Sequence, residues 1–387
     1  MQMNKTFSFT GAKKIVFGNG SFEELVDHIK ESGGDKPLIV LDKGLSGTGF
    51  KQRVSALLDK GGMKYAIFDK VEAEPALELA DEGTKIALKD KCDAVVGIGG
   101  GSAMDVAKAV AVLVANRGKA VDYLGLNKVP GRGLPKIMVP TTAGTGSEVT
   151  FTAVFSRKDL KKKEGMNSPY LYPELALLDP KLTLSLPPEP TAATGIDALC
   201  HAIESYTSVN SSPMSELVSL EAIDLISQNL RTCVHDGSNL EAREQMLLGS
   251  LYAGLGLANA GVGAAHSLSY PLGGKYGISH GLANTIMLPP VMEFNLPAAL
   301  EKFAVIAAVM GEQTEDIPLR DAAYLAVEAV ESLIEDCGIF AGLEALGIPE
   351  EDFLELAKVA MTVARPLENN PRNVTPEDAI EMYKQVY

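Results

Sequence analysis

The sequence predicts an α/β domain built on a parallel sheet, followed by an all-α domain. Short apolar runs of strand length alternate with helical segments through the first half of the chain. Strands that are apolar on both faces and separated by helices are typical of a parallel sheet covered on both sides. Strand signals end at Pro187-Pro188, after which apolar residues recur with helical spacing. Because 387 residues exceed one ordinary hydrophobic core, we expect two domains, residues 1–187 and 188–387.

The individual elements follow from the same periodicities. In the first half, strands are predicted at 37–42, 65–68, 93–98 and 136–139, and helices at 50–58, 75–89 and 103–116. On either side of a Thr-Gly turn, an N-terminal hairpin is predicted from residues 7–9 and 14–17. In the second half, helices are predicted around 214–230, 240–257, 300–310, 317–337 and 350–363.

A glycine-rich turn follows the strand predicted at 93–98. Its sequence is Gly99-Gly-Gly-Ser102, and we call it the glycine turn. Glycines let backbone N–H groups approach a ligand closely, and the start of the next helix favours negative charge, so the turn is suited to a pyrophosphate. The stretch departs from GxGxxG at the last position, and a turn without a ligand is the alternative. Ser102 and Asp105 have the spacing of a capping box.

A second loop, rich in hydroxyl groups, follows the strand predicted at 136–139. It reads Pro140-Thr-Thr-Ala-Gly-Thr-Gly-Ser-Glu148, and we call it the threonine loop. So many hydroxyls and glycines at the carboxyl end of a strand favour phosphate or ribose binding at the edge of an open sheet. Any one of them alone is also typical of an ordinary turn.

One carboxylate and three imidazoles form a candidate metal site. Asp197 and His201 are four residues apart in a predicted helix, so their side chains share one face. His266 and His280 lie among apolar or small residues, where an unpaired imidazole is costly to bury. These donors are suited to divalent Fe or Zn, although an Asp-x3-His pair by itself is more often a hydrogen-bonded structural pair. We call Asp197, His201, His266 and His280 the donor cluster.

Composition narrows the possible partners and the compartment. The formal net charge of −15 repels nucleic-acid phosphates and anionic lipids, so neither nucleic acid nor membrane is an expected partner. The N-terminal residues contain no apolar h-region, so no secretory signal is predicted. The apolar run at 247–268 is rich in glycine, which favours a buried core helix over a membrane span. The four cysteines contain no CxxC pair, which favours reduced thiols in a cytoplasmic protein.

Together these stretches resemble the iron-containing (group III) alcohol dehydrogenase family. The resemblance spans nearly the whole chain in one order, and its motifs lie at 99–105, 140–148, 195–201, 266–284 and 370–372. It implies a Rossmann-like N-terminal dinucleotide-binding domain and an all-α C-terminal catalytic domain that binds a metal. It also implies hydride transfer between NAD(H) and a small alcohol, diol or aldehyde, by a homo-oligomer of two or more subunits.

The resemblance assigns roles residue by residue. The four residues of the donor cluster match the ligands of a divalent metal ion, Fe(II) first and Zn second. The positions that match cofactor contacts are Asp42, Gly99, Gly100, Gly101, Ser102, Thr141, Thr142, Thr145, Lys163 and Leu182. The predicted catalytic residues are His280, one of the matched ligands, and Tyr270, whose role follows from its own position four residues after His266 and not from the resemblance.

Two positions depart from the family's pattern. Glu74 stands where members often have Asn before a proline, which leaves one ribose contact open. Tyr270 stands where many members have a second histidine, four residues after His266. On a continuous helical turn its phenol faces the same side as His266, where it either donates a hydrogen bond in the reaction or only packs. Pro271 and the glycines that follow are predicted to end that helix.

Other functions stay open on the sequence alone. Within the family, a hydroxyacid–oxoacid or sulfonated-aldehyde oxidoreductase is an alternative. A dehydroquinate synthase-like lyase needs a strongly basic pocket, and basic residues are sparse around the donor cluster. A glycerol dehydrogenase-type enzyme would lack the Asp197/His201 pair, and a non-catalytic metal-binding protein would leave the glycine turn unexplained.

Overall fold

The chain forms two compact units. The computed structural model describes residues 6–157, 159–160, 162–339 and 342–387. Gly11–Leu186 forms one unit, which we call the α/β unit. Residues 6–10 and Pro187–Tyr387 form the other, the helical unit. An α/β region followed by a helical region confirms the predicted fold class.

The α/β unit contains two sheets. Its strands are β1 (Lys14–Phe17), β2 (Pro37–Asp42), β3 (Ala66–Val71), β4 (Ala94–Gly99), β5 (Gly125–Leu126), β6 (Lys136–Pro140), β7 (Thr152–Arg157), β8 (Lys162–Asn167) and β9 (Leu175–Leu178). Its helices are α1 (Leu25–Glu31), α2 (Phe50–Lys60), α3 (Glu78–Asp90) and α4 (Gly101–Ala115). Among the described residues, six strands pair in parallel in the order β1-β9-β6-β4-β2-β3. The four strands predicted here from apolar runs are β2, β3, β4 and β6.

Both faces of the parallel sheet are buried. Leu38 and Val40 of β2 pack in one apolar cluster with residues of α3 and α4. Ile39 and Leu41, which point the other way, pack with residues of α1 and α2. Successive side chains of a strand face opposite sides, so a continuous apolar run is what a sheet covered by two helical layers requires.

The predicted N-terminal hairpin is wrong. Residues 7–9 form no strand, and β1 pairs in parallel with β9. The sequence does not predict β9, because an apolar run of four residues does not by itself distinguish a strand from a buried helical turn.

The second sheet, in the order β5-β8-β7, is also absent from the sequence-based prediction. β8 reads KKEGMN and pairs antiparallel with β7. Such a polar run lacks the apolar alternation by which a strand is identified. β8 is therefore recognised by its backbone hydrogen bonds to β7, and its pattern of side chains does not reveal it.

The helical unit contains the remaining helices. These are α5 (Pro188–Thr207), α6 (Pro213–His235), α7 (Leu240–Ala260), α8 (Ala264–Tyr276), α9 (His280–Val309), α10 (Leu319–Asp336), α11 (Phe353–Ala360), α12 (Ala364–Asn369) and α13 (Pro376–Gln385). Within α9, Ala299 has non-helical angles (φ −147°, ψ 35°), so the element bends two residues after Pro297. The helical character predicted for the second half is confirmed.

The apolar run at 247–268 forms parts of two helices, whereas a single helix was expected. α7 and α8 are bent by 102° relative to each other, and Gly261 between them has a φ of 77°. Among the described residues, no single helix is long and apolar enough to cross a membrane. Only α7 and α8 taken together have the length and composition of a membrane span, and they are bent.

Asn370 lies in the motif at 370–372 and is hydrogen-bonded to the start of α8. Its Oδ1 accepts a hydrogen bond from the backbone N–H of Ala264 at 3.2 Å. Its amide also exchanges hydrogen bonds with Asn295 of α9, at 2.7 and 2.9 Å. Because all three residues are buried or nearly so, these bonds satisfy polar groups that would otherwise destabilise the fold.

Candidate metal centre and nucleotide site

Three helices bring the donor cluster together. α5 carries Asp197 and His201 one helical turn apart, His266 is the third residue of α8, and His280 is the first residue of α9. One ligand atom from each residue lies within 4.8 Å of those of the others. The i,i+4 spacing in α5 points both side chains of that helix into the cluster.

The four side chains surround a small, mostly buried volume. The Nε2 atoms of His201 and His280 each lie 3.9 Å from Oδ1 of Asp197. The rings of His201 and His266 stack, with centroids 4.8 Å apart. His280 is the most open of the four, with 27% of its side chain exposed, compared with 5% or less for the others.

A glycine allows α9 to begin beside α5. A Cβ at Gly281 would lie 2.6 Å from the carbonyl oxygen of Ala193 in α5, which is closer than non-bonded atoms approach. Glycine has no Cβ and tolerates this contact between backbones. The contact places His280, the preceding residue, next to Asp197.

The helix break predicted over Pro271, Gly273, Gly274 and Gly277 occurs only at the last of these residues. α8 continues through Pro271 to Tyr276 and ends at Gly277, whose φ of 71° is left-handed. Leu268 and Leu272 are fully buried on either side of the proline. Tertiary packing of this kind stabilises a helix more than local preference does, so it outweighs the backbone hydrogen bond that proline removes.

Asn284 is a buried residue of the centre to which the sequence analysis assigned no role. Its Nδ2 lies 2.7 Å from Oδ1 of Asp197, 3.1 Å from Nε2 of His266 and 3.2 Å from Nε2 of His280. Its Oδ1 has no hydrogen-bond partner among the described residues, although it is buried. The signal that identifies it is the spacing His280-x3-Asn284, which repeats the spacing of Asp197 and His201.

The electrostatics of the cluster favour a bound cation. Burial raises the pKa of the Asp197 carboxyl, but the three neighbouring imidazoles more than offset burial and bring it to about 2. Its carboxylate is therefore ionised at neutral pH. An ionised carboxylate with three imidazole nitrogens is a donor set for Fe(II) or Zn. The residues present fit a divalent metal ion.

Two buried side chains contact His266 on the Nδ1 side of its ring. Oε2 of Glu204 lies 2.5 Å from Nδ1, and Sγ of Cys200 lies 3.8 Å from the same atom. Burial raises the pKa of the Cys200 thiol well above its usual range, so Cys200 is not a thiolate nucleophile.

Tyr270 lies against two members of the donor cluster. Its ring stacks on that of His280, with centroids 5.8 Å apart, and meets the ring of His266 edge-on at 6.4 Å. The i+4 spacing from His266 along α8 therefore places the phenol where the sequence analysis expected it. Its role in a reaction stays a prediction.

In the α/β unit, the predicted nucleotide residues lie at the carboxyl ends of neighbouring strands. β3 lies on one side of β2, while β4, β6 and β9 lie on the other. Ligands of open α/β sheets bind at such a reversal of strand order, beyond the carboxyl ends of the strands. Asp42 ends β2, the glycine turn follows β4, and the threonine loop follows β6.

The glycine turn and the threonine loop pack against each other. A Cβ at Gly101 would lie 2.7 Å from Cγ2 of Thr145, so the turn requires glycine there. The first backbone N–H groups of α4 have no partner within the helix and are available to an anion. The contacts pair one residue of each loop: Gly99 with Thr141, Gly100 with Thr142 and Gly101 with Thr145.

The predicted capping box of Ser102 and Asp105 is wrong. α4 is preceded by Gly100, and no side chain caps it. Asp105 instead accepts hydrogen bonds from Oγ of Ser147 at 2.6 Å and from the backbone N–H of Val154 at 2.8 Å. The carboxylate therefore holds the end of the threonine loop, because a tertiary partner is better placed than the helix terminus.

Two buried ionisable residues lie at the end of the threonine loop, Lys108 of α4 and Glu148, the last residue of the loop. Lys108 pairs with Asp105 at 3.1 Å and donates to the carbonyl oxygen of Ser147 at 3.0 Å. Burial raises the pKa of Glu148 to about 7, although its own backbone N–H and the charge of Lys108 lower it. Oε1 of Glu148 has no hydrogen-bond partner in the described part of the chain.

Asp42, Lys163 and Leu182, which are also predicted to contact the cofactor, differ in their immediate surroundings. The Asp42 carboxylate accepts a hydrogen bond from the N–H of Gly44 at 2.8 Å, and burial raises its pKa. Nζ of Lys163 lies 2.5 Å from the carboxylate of Glu74, so the residue that replaces Asn binds the predicted lysine. Leu182 is 4% exposed and belongs to an apolar core cluster. That these residues contact a cofactor stays a prediction.

Comparisons with known proteins find matches to both parts of the chain. Residues 12–180 match the description "Iron-containing alcohol dehydrogenase", and residues 191–387 match "Fe-containing alcohol dehydrogenase family, C-terminal". The chain is 39% identical over 383 residues to a long-chain-alcohol dehydrogenase of Geobacillus thermodenitrificans, covering 97% of this chain and 96% of that protein.

Two solved structures extend the likeness to three dimensions. A 1,3-propanediol oxidoreductase superposes with a TM-score of 0.96 at 36% identity, over 99% of this chain and 100% of that one. A sulfoacetaldehyde reductase of Bifidobacterium kashiwanohense, solved in complex with NAD+, superposes with a TM-score of 0.89 at 32% identity, over 99% of each chain.

Proposed function

Because this chain belongs to the iron-containing alcohol dehydrogenase family, we propose that its donor cluster binds the catalytic metal ion and its glycine turn the NAD of an alcohol dehydrogenase. The observation that carries the proposal is the meeting of a carboxylate and three imidazoles, from three helices, within 4.8 Å. A structural Asp-His pair does not by itself require two further histidines beside it, the buried His266 and the partly exposed His280, and a buried imidazole without a partner is costly.

The chemistry is hydride transfer. When bound, a divalent ion supplies a Lewis acid for the substrate oxygen, and NAD carries the hydride. Asp197 contributes a negative charge that is fully formed at neutral pH, since its pKa is about 2. Asn284 donates to that carboxylate at 2.7 Å and fixes the direction in which it points.

Tyr270 is the group we propose to act on the substrate oxygen from the protein side. A phenol has a reference pKa of about 10, so at neutral pH it holds its proton and acts as a hydrogen-bond donor. Its ring is braced by His266 and His280, which keeps the hydroxyl in a fixed direction. His280, the most exposed ligand, lies on the side from which a small molecule reaches the cluster.

The substrate we propose is a small, uncharged alcohol, diol or aldehyde. The side chains that contact the donor cluster include Glu204, Asn284, Cys200 and Tyr270, and none of them is cationic. A sulfonated aldehyde or a hydroxy acid would need a cation to balance its charge. This absence among the named contacts favours the uncharged class over the anionic one.

A spectrophotometric panel tests the proposal. Protein reconstituted separately with Fe(II) and Zn is given NADH and a series of short aldehydes, lactaldehyde, sulfoacetaldehyde and a 2-oxoacid. We expect oxidation of NADH with the uncharged aldehydes, and faster turnover with Fe(II) than with Zn. Consumption of the sulfonated aldehyde alone would replace the proposed substrate class. No oxidation of NADH with any compound would refute the assignment of the site.

We further propose that the enzyme works in the cytoplasm as a homo-oligomer. All four cysteines are buried and unbridged, which agrees with a reducing compartment. Sedimentation of the purified protein should give a mass that is a multiple of the 41.0 kDa chain. A purely monomeric species at working concentration would contradict the second part of the proposal.

A further inference from the structure

Glu204 occupies the same face of α5 as the two metal ligands of that helix. It lies three residues after His201 and seven after Asp197, so the three side chains form one stripe. Its side chain is only 5% exposed. An acidic side chain buried to this degree is costly unless each oxygen has a partner.

Both oxygens of Glu204 do have partners, and both partners are in α8. Oε2 lies 2.5 Å from Nδ1 of His266, and Oε1 accepts a hydrogen bond from the backbone N–H of Ala265 at 2.7 Å. The N–H groups at a helix start favour a negative charge. A Cβ at Gly263 would come within 3.1 Å of Oε1, so the glycine before α8 leaves room for the carboxylate.

This contact determines which nitrogen of His266 carries the proton. A carboxylate only accepts hydrogen bonds, so Nδ1 must be the donor. The lone pair is then on Nε2, which faces the cluster and lies 3.1 Å from Nδ2 of Asn284. A metal-binding histidine of this type is oriented by the carboxylate that accepts from its other nitrogen.

We infer that Glu204 is a positioning residue that fixes the tautomer and orientation of His266, and thereby sets the affinity of the donor cluster for a divalent metal. This inference rests on the proposed function, because it assumes that the cluster binds the ion.

The competing interpretation is a second metal site formed by Cys200, Glu204 and His266, whose ligand atoms are also within 4.8 Å of one another. That site would need Nδ1 of His266 as a ligand, but Nδ1 already bonds to Oε2 of Glu204 at 2.5 Å, whereas Sγ of Cys200 is 3.8 Å from it. It would also take Oε2 of Glu204 away from the ring N–H. The hydrogen-bonded arrangement satisfies all of these groups without a second ion.

The substitution Glu204→Gln tests the inference. In glutamine an NH2 group replaces one of the two carboxylate oxygens, so a donor must face either Nδ1 of His266 or the Ala265 N–H. We expect the affinity for Zn, measured by competition with a chromophoric chelator, to fall about 10- to 100-fold. NMR of the histidine ring nitrogens in metal-free protein should show His266 leaving the Nδ1–H tautomer.

Matched variants separate positioning from a general loss of structure. Glu216→Gln removes another partly buried carboxylate of the helical unit, one that pairs with Lys302 at 2.8 Å, and should leave Zn affinity and the tautomer unchanged. Glu204→Asp keeps the charge on a shorter chain and should recover part of the affinity. Cys200→Ser should leave the affinity and the ratio of one ion per chain unchanged.

The outcomes distinguish the inference from the function on which it rests. If the unaltered protein binds Zn and Glu204→Gln binds it equally well with the same tautomer, the role of Glu204 is refuted and the proposed function stands. Two ions per chain, reduced to one by Cys200→Ser, would establish the second site in its place. If the unaltered protein binds no metal, both fail.

Discussion

Tyr270 contacts two of the proposed metal ligands through its ring and offers one hydroxyl. Tyr270→Phe retains the ring contacts with His266 and His280 and removes only the hydroxyl. We expect metal content and NADH binding to be unchanged. Turnover of aldehydes should fall about tenfold, because one hydrogen bond is worth about 1 kcal/mol and about 1.4 kcal/mol changes a rate tenfold. Tyr276→Phe is the matched control, since Tyr276 lies on the same helix but bonds to Asp352. Equal turnover of the two variants across the aldehyde panel would show that Tyr270 only packs and that its hydroxyl has no role in the reaction.

Asp42 has two possible effects on cofactor choice, and two substitutions separate them. Its carboxylate repels a 2′-phosphate if it lies near the ribose, but it also accepts a hydrogen bond from Gly44. Asp42→Asn keeps an acceptor for that bond and removes the charge, whereas Asp42→Gly removes both. We expect both variants to raise the ratio of NADP to NAD efficiency by about tenfold, or about 1.4 kcal/mol. A ratio that changes only in Asp42→Gly would show that the effect comes from losing the hydrogen bond with Gly44 and not from losing the charge.

Residue types and spacings predict some members of the site but not their partners. Asp197 and His201 are recognisable because they share a helical face within a short segment. Glu204 and Asn284 obey the same spacing rule, yet nothing local indicates that one will meet His266 and the other Asp197. Those contacts depend on how α5, α8 and α9 pack. For Asp105 the spacing in the sequence gives a wrong prediction. It predicts a helix cap, but the carboxylate binds Ser147 and Val154 instead.

At the scale of elements, the position of α9 depends on its second residue. Gly281→Ala would place a Cβ 2.6 Å from the carbonyl oxygen of Ala193, so the first turn of α9 must move away from α5. Overpacking of this kind costs about 1–3 kcal/mol, and here the displaced turn carries His280. We expect Zn affinity to fall about tenfold or more, which is a loss of about 1.4 kcal/mol, as measured by chelator competition.

Gly249→Ala is the control for that experiment. Its Cβ would come within 2.9 Å of Ile226, between α7 and α6, so it overpacks the same unit at a contact that carries no ligand. It should lower the unfolding midpoint and leave Zn affinity unchanged. Equal losses of affinity in both variants would mean that the cluster responds to overall loosening and not to the contact between α9 and α5.

The strands predicted correctly and those missed differ in a physical way. β2 and β4 are buried on both faces, so their apolar runs are visible in the sequence. β8 is polar and is defined by its hydrogen bonds to β7, which no pattern of side chains records. The continuation of α8 past Pro271 was missed for a similar reason, because it depends on packing against residues outside the segment.

At the scale of the whole molecule, Glu148 makes stability depend on pH. Burial raises its pKa from the ordinary 4.5 to about 7, so the folded state holds a proton that the unfolded state releases between these values. Stability is therefore greatest below the unfolded pKa and falls as pH rises through about 7. The gap corresponds to roughly 3 kcal/mol at most.

Glu148→Gln removes this dependence. We expect the variant to unfold in denaturant at nearly the same midpoint as the parent at about pH 5, and at a higher midpoint at about pH 8. Glu351→Gln, at an exposed position, should follow the parent at both. A difference between Glu148→Gln and the parent that does not grow with pH would show that the carboxyl is ionised throughout or solvated.

Metal content, measured together with activity, tests the central claim most directly. Elemental analysis of the reconstituted protein should find close to one divalent ion per chain, and a chelator should remove the ion and the NADH-dependent activity together. His280→Ala, which removes the most exposed ligand, should lose both while keeping its helical content and its binding of NADH. Full activity in a chelator, with no metal detected, would contradict the assignment of Asp197, His201, His266 and His280 as a catalytic metal site.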